Sequence, residues 1–134
     1  MVKLPIPYST QEITSADISA VTKILKSTFL TQGPAISALE KSFATYTDSN
    51  HCVAVANGTA ALHLGILSLG VAAGQKVITS PLTFAASANC ILYAGAQVIF
   101  CDIDEETGLM NLDILQELID LHPDCKGVIP VNYA

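Results

Sequence analysis

A chain of 134 residues is long enough for one ordinary domain with a sizeable core. Half of it is apolar (51%) and only 13% is charged, which excludes a disordered chain. The net charge is −6, with six lysines and no arginine, so there is no basic stripe to neutralise nucleic-acid phosphates.

In chain order, the N-terminus "MVKLPIPYSTQE" has no apolar signal core, and the reading is a cytoplasmic protein. Tyr8 lies in this irregular arm, where it can lock the arm down or touch a substrate. Thr14-Ser15-Ala16-Asp17 has the spacing of a capping box, with Thr14 at the N-cap and Asp17 three residues on. Ile18, Val21, Ile24 and Leu25 then recur at helical spacing. An irregular segment, "STFLTQGP", leads to a second amphipathic helix marked by Ile36, Leu39, Phe43 and Tyr46.

From there the pattern changes. Residues 52–56, 76–80, 97–103 and 126–131 are short runs rich in β-branched residues, each read as a strand. Helix-length segments at 59–70, 83–94 and 111–121 alternate with them. Strands apolar on both faces, alternating with helices, predict an α/β fold: a mainly parallel sheet covered on both sides, three layers α/β/α. Residues 1–134 are read as one partial domain, with the arm and two helices over 1–50 and βαβ units over 51–134. The longest strongly apolar run, residues 60–73, is too short to span a bilayer, so no membrane partner is expected. Cys52, Cys90, Cys101 and Cys125 match no zinc spacing and read as buried free thiols.

Parallel sheets bind ligands beyond the carboxyl ends of their strands. Asn57-Gly58-Thr59-Ala60 follows the first strand, and two readings stay open for it. It is a plain capped turn, with Thr59 as a candidate cap, or an anion site on the free amides of a helix start. Neither a P-loop nor a dinucleotide fingerprint is present. Phe84 follows the second strand, as an aromatic cover for a flat heterocycle or as a core residue. Asp102 and Asp104 close the third and read as turn caps. His63 reads as a core histidine, and His51 and His122 as surface residues.

These pieces, in this order, resemble the sugar-nucleotide aminotransferases of the DegT/DnrJ type. Those are pyridoxal-phosphate (PLP) enzymes of fold type I. The resemblance is carried by "FLTQGPAISALEKSFATYT", "AVANGTAALHLGILSLG", "KVITSPLTFAASANCILYAGAQVIFCDID" and "GVIPVNYA". It implies that the chain is the N-terminal part of the large, PLP-binding domain. Gly58, Thr59 and Ala60 would hold the phosphate and Phe84 would stack on the pyridine ring. Tyr8 and Thr28-Phe29-Leu30-Thr31 would contact the sugar nucleotide. The implied reaction moves an amino group from an amino acid, typically glutamate, to a nucleotide-linked keto sugar for surface glycan synthesis. The implied assembly is a homo-oligomer.

Members of that family run to well over twice this length, and their Schiff-base lysine lies beyond the last residue here. A Schiff-base lysine needs a desolvated pocket that lowers its pKa. Lys3 is in the arm, Lys23, Lys26 and Lys41 fall on polar helix faces, and Lys76 and Lys126 enter strands at the amino end. The expectation is a chain with no catalytic residue of its own and inactive alone. Two alternatives accompany it: a PLP-dependent sugar dehydratase on the same scaffold, or a non-catalytic remnant. In the family the first strand is separated from the next three by later strands. Three outcomes are therefore expected for residues 52–56: direct re-pairing into a four-stranded sheet, sharing between chains, or completion by further chain.

Overall fold

In a computed structural model of the protein, residues 9–132 are described. The chain divides into two compact units, residues 1–54 and 55–134.

The first unit holds two helices. Helix α1 (Ser15–Leu25) starts at a capping box: Thr14 N–H donates to Asp17 Oδ2 at 2.7 Å, and Asp17 N–H donates to Thr14 Oγ1 at 3.3 Å. Helix α2 (Pro34–Tyr46) begins with Gly33 at the N-cap and Pro34 in the first turn, where the missing proline N–H costs nothing. Both were legible as amphipathic helices. Neither has a buried residue, and Ile18, Val21, Leu39 and Phe43 are all more than half exposed.

The second unit is an α/β/α sandwich. It comprises α3 (Gly58–Ser68), β1 (Lys76–Thr79), α4 (Ala86–Tyr93), β2 (Gln97–Phe100), α5 (Leu112–Leu121) and β3 (Cys125–Ile129). The three strands are all parallel, in the order β2-β1-β3. Val77 pairs with Val98 on one side and Gly127 on the other, after a register shift between Lys76 and Val77. Central β1 is buried on both faces, as a run of Val-Ile-Thr should be in a covered parallel sheet. Alternation along the strands divides the core in two. Val77, with Val98 and Ile129, packs among Ile66, Cys90 and Ile91 of α3 and α4. Ile78, with Ile99, packs with Cys101, Met110 and the α5 side chains Ile114, Leu115 and Leu118.

Residues 52–56 correct the sequence reading. They form no strand among the described residues, and the four-stranded sheet does not assemble. A strand exists only through a neighbour's hydrogen bonds, and here β2 and β3 occupy both sides of β1. Ala54 N–H instead donates to the Glu40 side chain at 2.9 Å, while Val53 stays 72% exposed. The three strands that do form are shorter than the runs that announced them, because parallel pairing spans only four or five residues.

Candidate functional site

Helix α3 leads into the amino end of β1, so it runs against the strand direction and its first turn rises at the carboxyl edge of the sheet. The groove beside it agrees: Leu69 and Gly127 meet near one end, Ala61 and Pro130 line the other. That groove is apolar, about 510 Å³, and follows the body of α3 along β3, an edge strand among the described residues.

Asn57, extended at φ −168° and ψ 173°, is the N-cap. Its side-chain oxygen accepts the Ala60 N–H at 2.9 Å, and its carbonyl accepts the Ala61 N–H at 3.1 Å. The sequence had offered Thr59 as the cap. Asn57 takes that role because it occupies the half-helical position whose side chain reaches back over the first turn. The amides of Gly58 and Thr59 and the Thr59 hydroxyl have no partner among the described residues. A Cβ added at Gly58 would meet nothing within 4 Å, so the protein leaves space over this turn. The donor set is therefore two unpaired main-chain N–H groups and one hydroxyl at the positive end of an 11-residue helix. Such a set suits a phosphate.

Phe84 stands on the loop after β1, two residues before α4 begins, and is 78% exposed. Phe84 belongs to neither core cluster of the described residues. Its carbonyl accepts the Ser87 N–H at 3.0 Å, and Thr83 and Ser87 hydroxyls meet at 2.8 Å. These bonds tie the loop to the start of α4. Just before it, the Ser80 hydroxyl is buried at the end of β1 with no hydrogen-bond partner among the described residues.

In the first unit, Thr28 to Thr31 form an exposed turn between α1 and α2. The Ser27 hydroxyl donates to the Phe29 carbonyl at 3.1 Å, and Gln32 adopts a positive φ of 51°. Phe29 and Leu30 are 62% and 65% exposed. Tyr8 lies outside the described residues.

The remaining candidates have structural roles. Asp104 accepts from the Thr107 N–H (2.9 Å), the Thr107 hydroxyl (2.9 Å) and the Glu106 N–H (3.2 Å). Those bonds, led by the Thr107 amide, hold its carboxyl below the usual range. His63 is half-buried and meets Tyr93 edge-on, with ring centroids 5.5 Å apart. His122 is not the free surface residue its position suggested. Its Nδ1 lies 3.3 Å from Lys76 Nζ, which also donates to Asp124 at 3.2 Å. This cluster sits at the amino edge of the sheet, opposite the α3 first turn. Lys23 and Lys41 lie on α1 and α2, Lys26 caps α1, and Lys126 is an exposed residue of β3. Cys90 and Cys101 are fully buried free thiols whose pKa values burial pushes up, while Cys52 and Cys125 are half-buried. Among the described residues, no group of His, Cys, Asp and Glu is arranged to hold a metal ion, and no helix is long and apolar enough to cross a membrane.

The chain is similar to known proteins along nearly its whole length. It is 41% identical over 129 residues to the spore coat polysaccharide biosynthesis protein SpsC of Bacillus subtilis, covering 96% of this chain and 33% of that one. Among solved structures, it matches the PMP form of the sugar aminotransferase Spr1654 from Streptococcus pneumoniae. The TM-score is 0.84 at 35% identity, over 93% of this chain and 31% of that one. It also matches NtdA from Bacillus subtilis with bound cofactor PMP, with a TM-score of 0.77 at 31% identity, over 84% of this chain and 26% of that one. The chain thus spans about a quarter to a third of the length of these relatives. The signature of the DegT/DnrJ/EryC1/StrS aminotransferases matches residues 11–134, and the chain belongs to that family.

Proposed function

We propose that the chain is the N-terminal, PLP-binding part of an aminotransferase that moves an amino group from an amino acid such as glutamate to a nucleotide-linked keto sugar for surface polysaccharide. The observation that carries this reading is the α3 first turn: unpaired donors and open space at the carboxyl edge of the sheet, within the family's matched span. The similarity to SpsC, a spore coat polysaccharide biosynthesis protein, supports the pathway class, and the PMP-bound neighbours support the cofactor.

In this reading the first turn of α3 holds the phosphate through the Gly58 and Thr59 amides and the Thr59 hydroxyl, with Ala60 behind them, its N–H given to Asn57. Phe84, free of core contacts, covers one face of the pyridine ring and keeps water from it. When bound, PLP supplies the electron sink for bond cleavage at the amino acid's α-carbon. Tyr8 and the exposed turn 28–31 contact the sugar nucleotide. The lysine that anchors the aldehyde is not among the six here. Among the described lysines, Lys76 alone has side-chain partners: its Nζ lies 3.3 Å from His122 Nδ1 and donates to Asp124, at the far edge of the sheet. A cytoplasmic homo-oligomer completes the reading.

Two measurements test it. Incubation with PLP, borohydride reduction and intact mass should give no stoichiometric adduct on a single lysine; such an adduct would overturn the assignment of the lysine elsewhere. Gly58→Ala should fold as well as the parent, because its Cβ meets no protein atom, yet bind PLP about tenfold more weakly. Unchanged binding would remove the phosphate from this turn.

A further inference from the structure

Phe84 is 78% exposed and belongs to neither core cluster, so packing in the core does not fix its ring. The backbone that carries it is fixed instead, and one residue fixes it on both sides. Ser87, buried in the first turn of α4, donates its N–H to the Phe84 carbonyl at 3.0 Å. Its hydroxyl meets that of Thr83, the residue before Phe84, at 2.8 Å. The Thr83 N–H in turn donates to the Pro81 carbonyl at 3.1 Å. Neither hydroxyl of the pair reaches a main-chain N–H among the described residues, and Ala85, at the N-cap of α4, makes no side-chain cap bond. The pair therefore does not cap the helix. It closes the span 83–87, in which Ala85 and Ala86 bring only methyl groups. Phe84 is the one long side chain that the closed span presents.

We propose that Ser87 is a positioning residue for Phe84: its amide and its hydroxyl, the latter through Thr83, hold the ring where it covers a flat heterocycle. The inference rests on the cofactor reading above and adds to it a residue that does not touch the ligand. An exposed ring on a free loop gives up its freedom when a ligand binds, and that loss subtracts from affinity. A span already closed before binding avoids most of the loss. The expected size is that of one hydrogen bond, about fivefold in a binding constant. Burial strengthens the clamp. Ser87 is 8% exposed, so a hydroxyl parted from Thr83 has little water to turn to.

The chain has no tryptophan, so Phe84→Trp places a single fluorescent reporter at this position. Its anisotropy reads the freedom of the ring. Its quenching reads the binding of PMP, which carries no aldehyde to react with lysines. In that background, Ser87→Ala and Thr83→Val should each lower the reporter's anisotropy and weaken PMP binding about fivefold. Thr83→Ser keeps the hydroxyl and should keep both properties at the level of the Phe84→Trp parent. Thr83→Val breaks the pair from its partly exposed end, so the test stands even where Ser87→Ala fails to fold. Parent-like anisotropy in both hydroxyl-deleted variants would overturn the role of Ser87 and leave the cofactor reading standing. So would lowered anisotropy with unchanged PMP affinity, or a loss of affinity that Thr83→Ser shares. If PMP quenches the reporter in no variant, the cofactor reading fails at the ring and this inference fails with it.

Discussion

At Gly33 the chain approaches itself more closely than a side chain allows. A Cβ there would stand 2.9 Å from the Phe29 Cβ and 3.2 Å from the Phe29 carbonyl oxygen. Both are atoms fixed by the backbone, so neither can swing away. The turn 28–31 owes its shape to that missing methyl group, and Pro34 immediately sets the start of α2. Gly33→Ala should therefore destabilise the first unit by about 1–3 kcal/mol, the usual scale of overpacking, measured by urea unfolding followed by circular dichroism. An unchanged midpoint would mean that the turn relaxes freely. Asn57 shows the limit of reading single residues. Asn57 and Thr59 are both good caps, and the sequence alone does not choose between them; the choice depends on which residue is extended, a fact of the backbone. The capping box of α1 was legible because both of its partners lie within three residues.

At the scale of elements, local chemistry fixes turns and distant partners fix strands. The β-branched runs 97–103 and 126–131 were readable as strands, and β2 and β3 formed there and found β1. Residues 52–56 carry the same signal and form no strand among the described residues, where no neighbour pairs with them. Composition cannot report a missing partner. The Lys76–His122 contact was equally hidden, since 46 residues separate the two. The loop between β2 and α5 is the opposite case, closed by Asp104 within three residues of its own position. The carboxyls of Asp104, Asp17 and Asp124 are all held below the ordinary aspartate range, by hydrogen bonds from Thr107, Thr14 and Lys76 respectively. For a lowered carboxylate, the stabilisation is present above the unfolded pKa and is lost as pH falls through the folded one. Stability should thus decline below about pH 4, with each carboxylate contributing a part. Asp104→Asn should make that acid-side decline shallower in denaturant titrations run from about pH 5 down to about pH 2. An identical pH slope in the variant would show that the Asp104 bonds are replaced equally well in the unfolded chain.

At the scale of the molecule, the sheet order carries a consequence in time. In β1, Lys76 pairs with Gln97, 21 positions on, while Val77 pairs with Gly127, 50 positions on. Closing the longer loop costs only about 0.8 kcal/mol more, but contacts between distant residues form later. The β1–α4–β2 unit, which buries Val77, Cys90 and Ile91 together, is the natural nucleus, and β3 is the strand that joins it. Ile91→Ala should cost about 2–5 kcal/mol and appear mainly as slower refolding. Ile129→Ala, on the strand that joins last, should appear mainly as faster unfolding. Stopped-flow chevrons of the two variants separate these arms, and the reverse pattern would place the nucleus at β3. The central strand then acts as a clock as well as a scaffold: one of its flanks is closed early, and the other waits for a strand made fifty residues later.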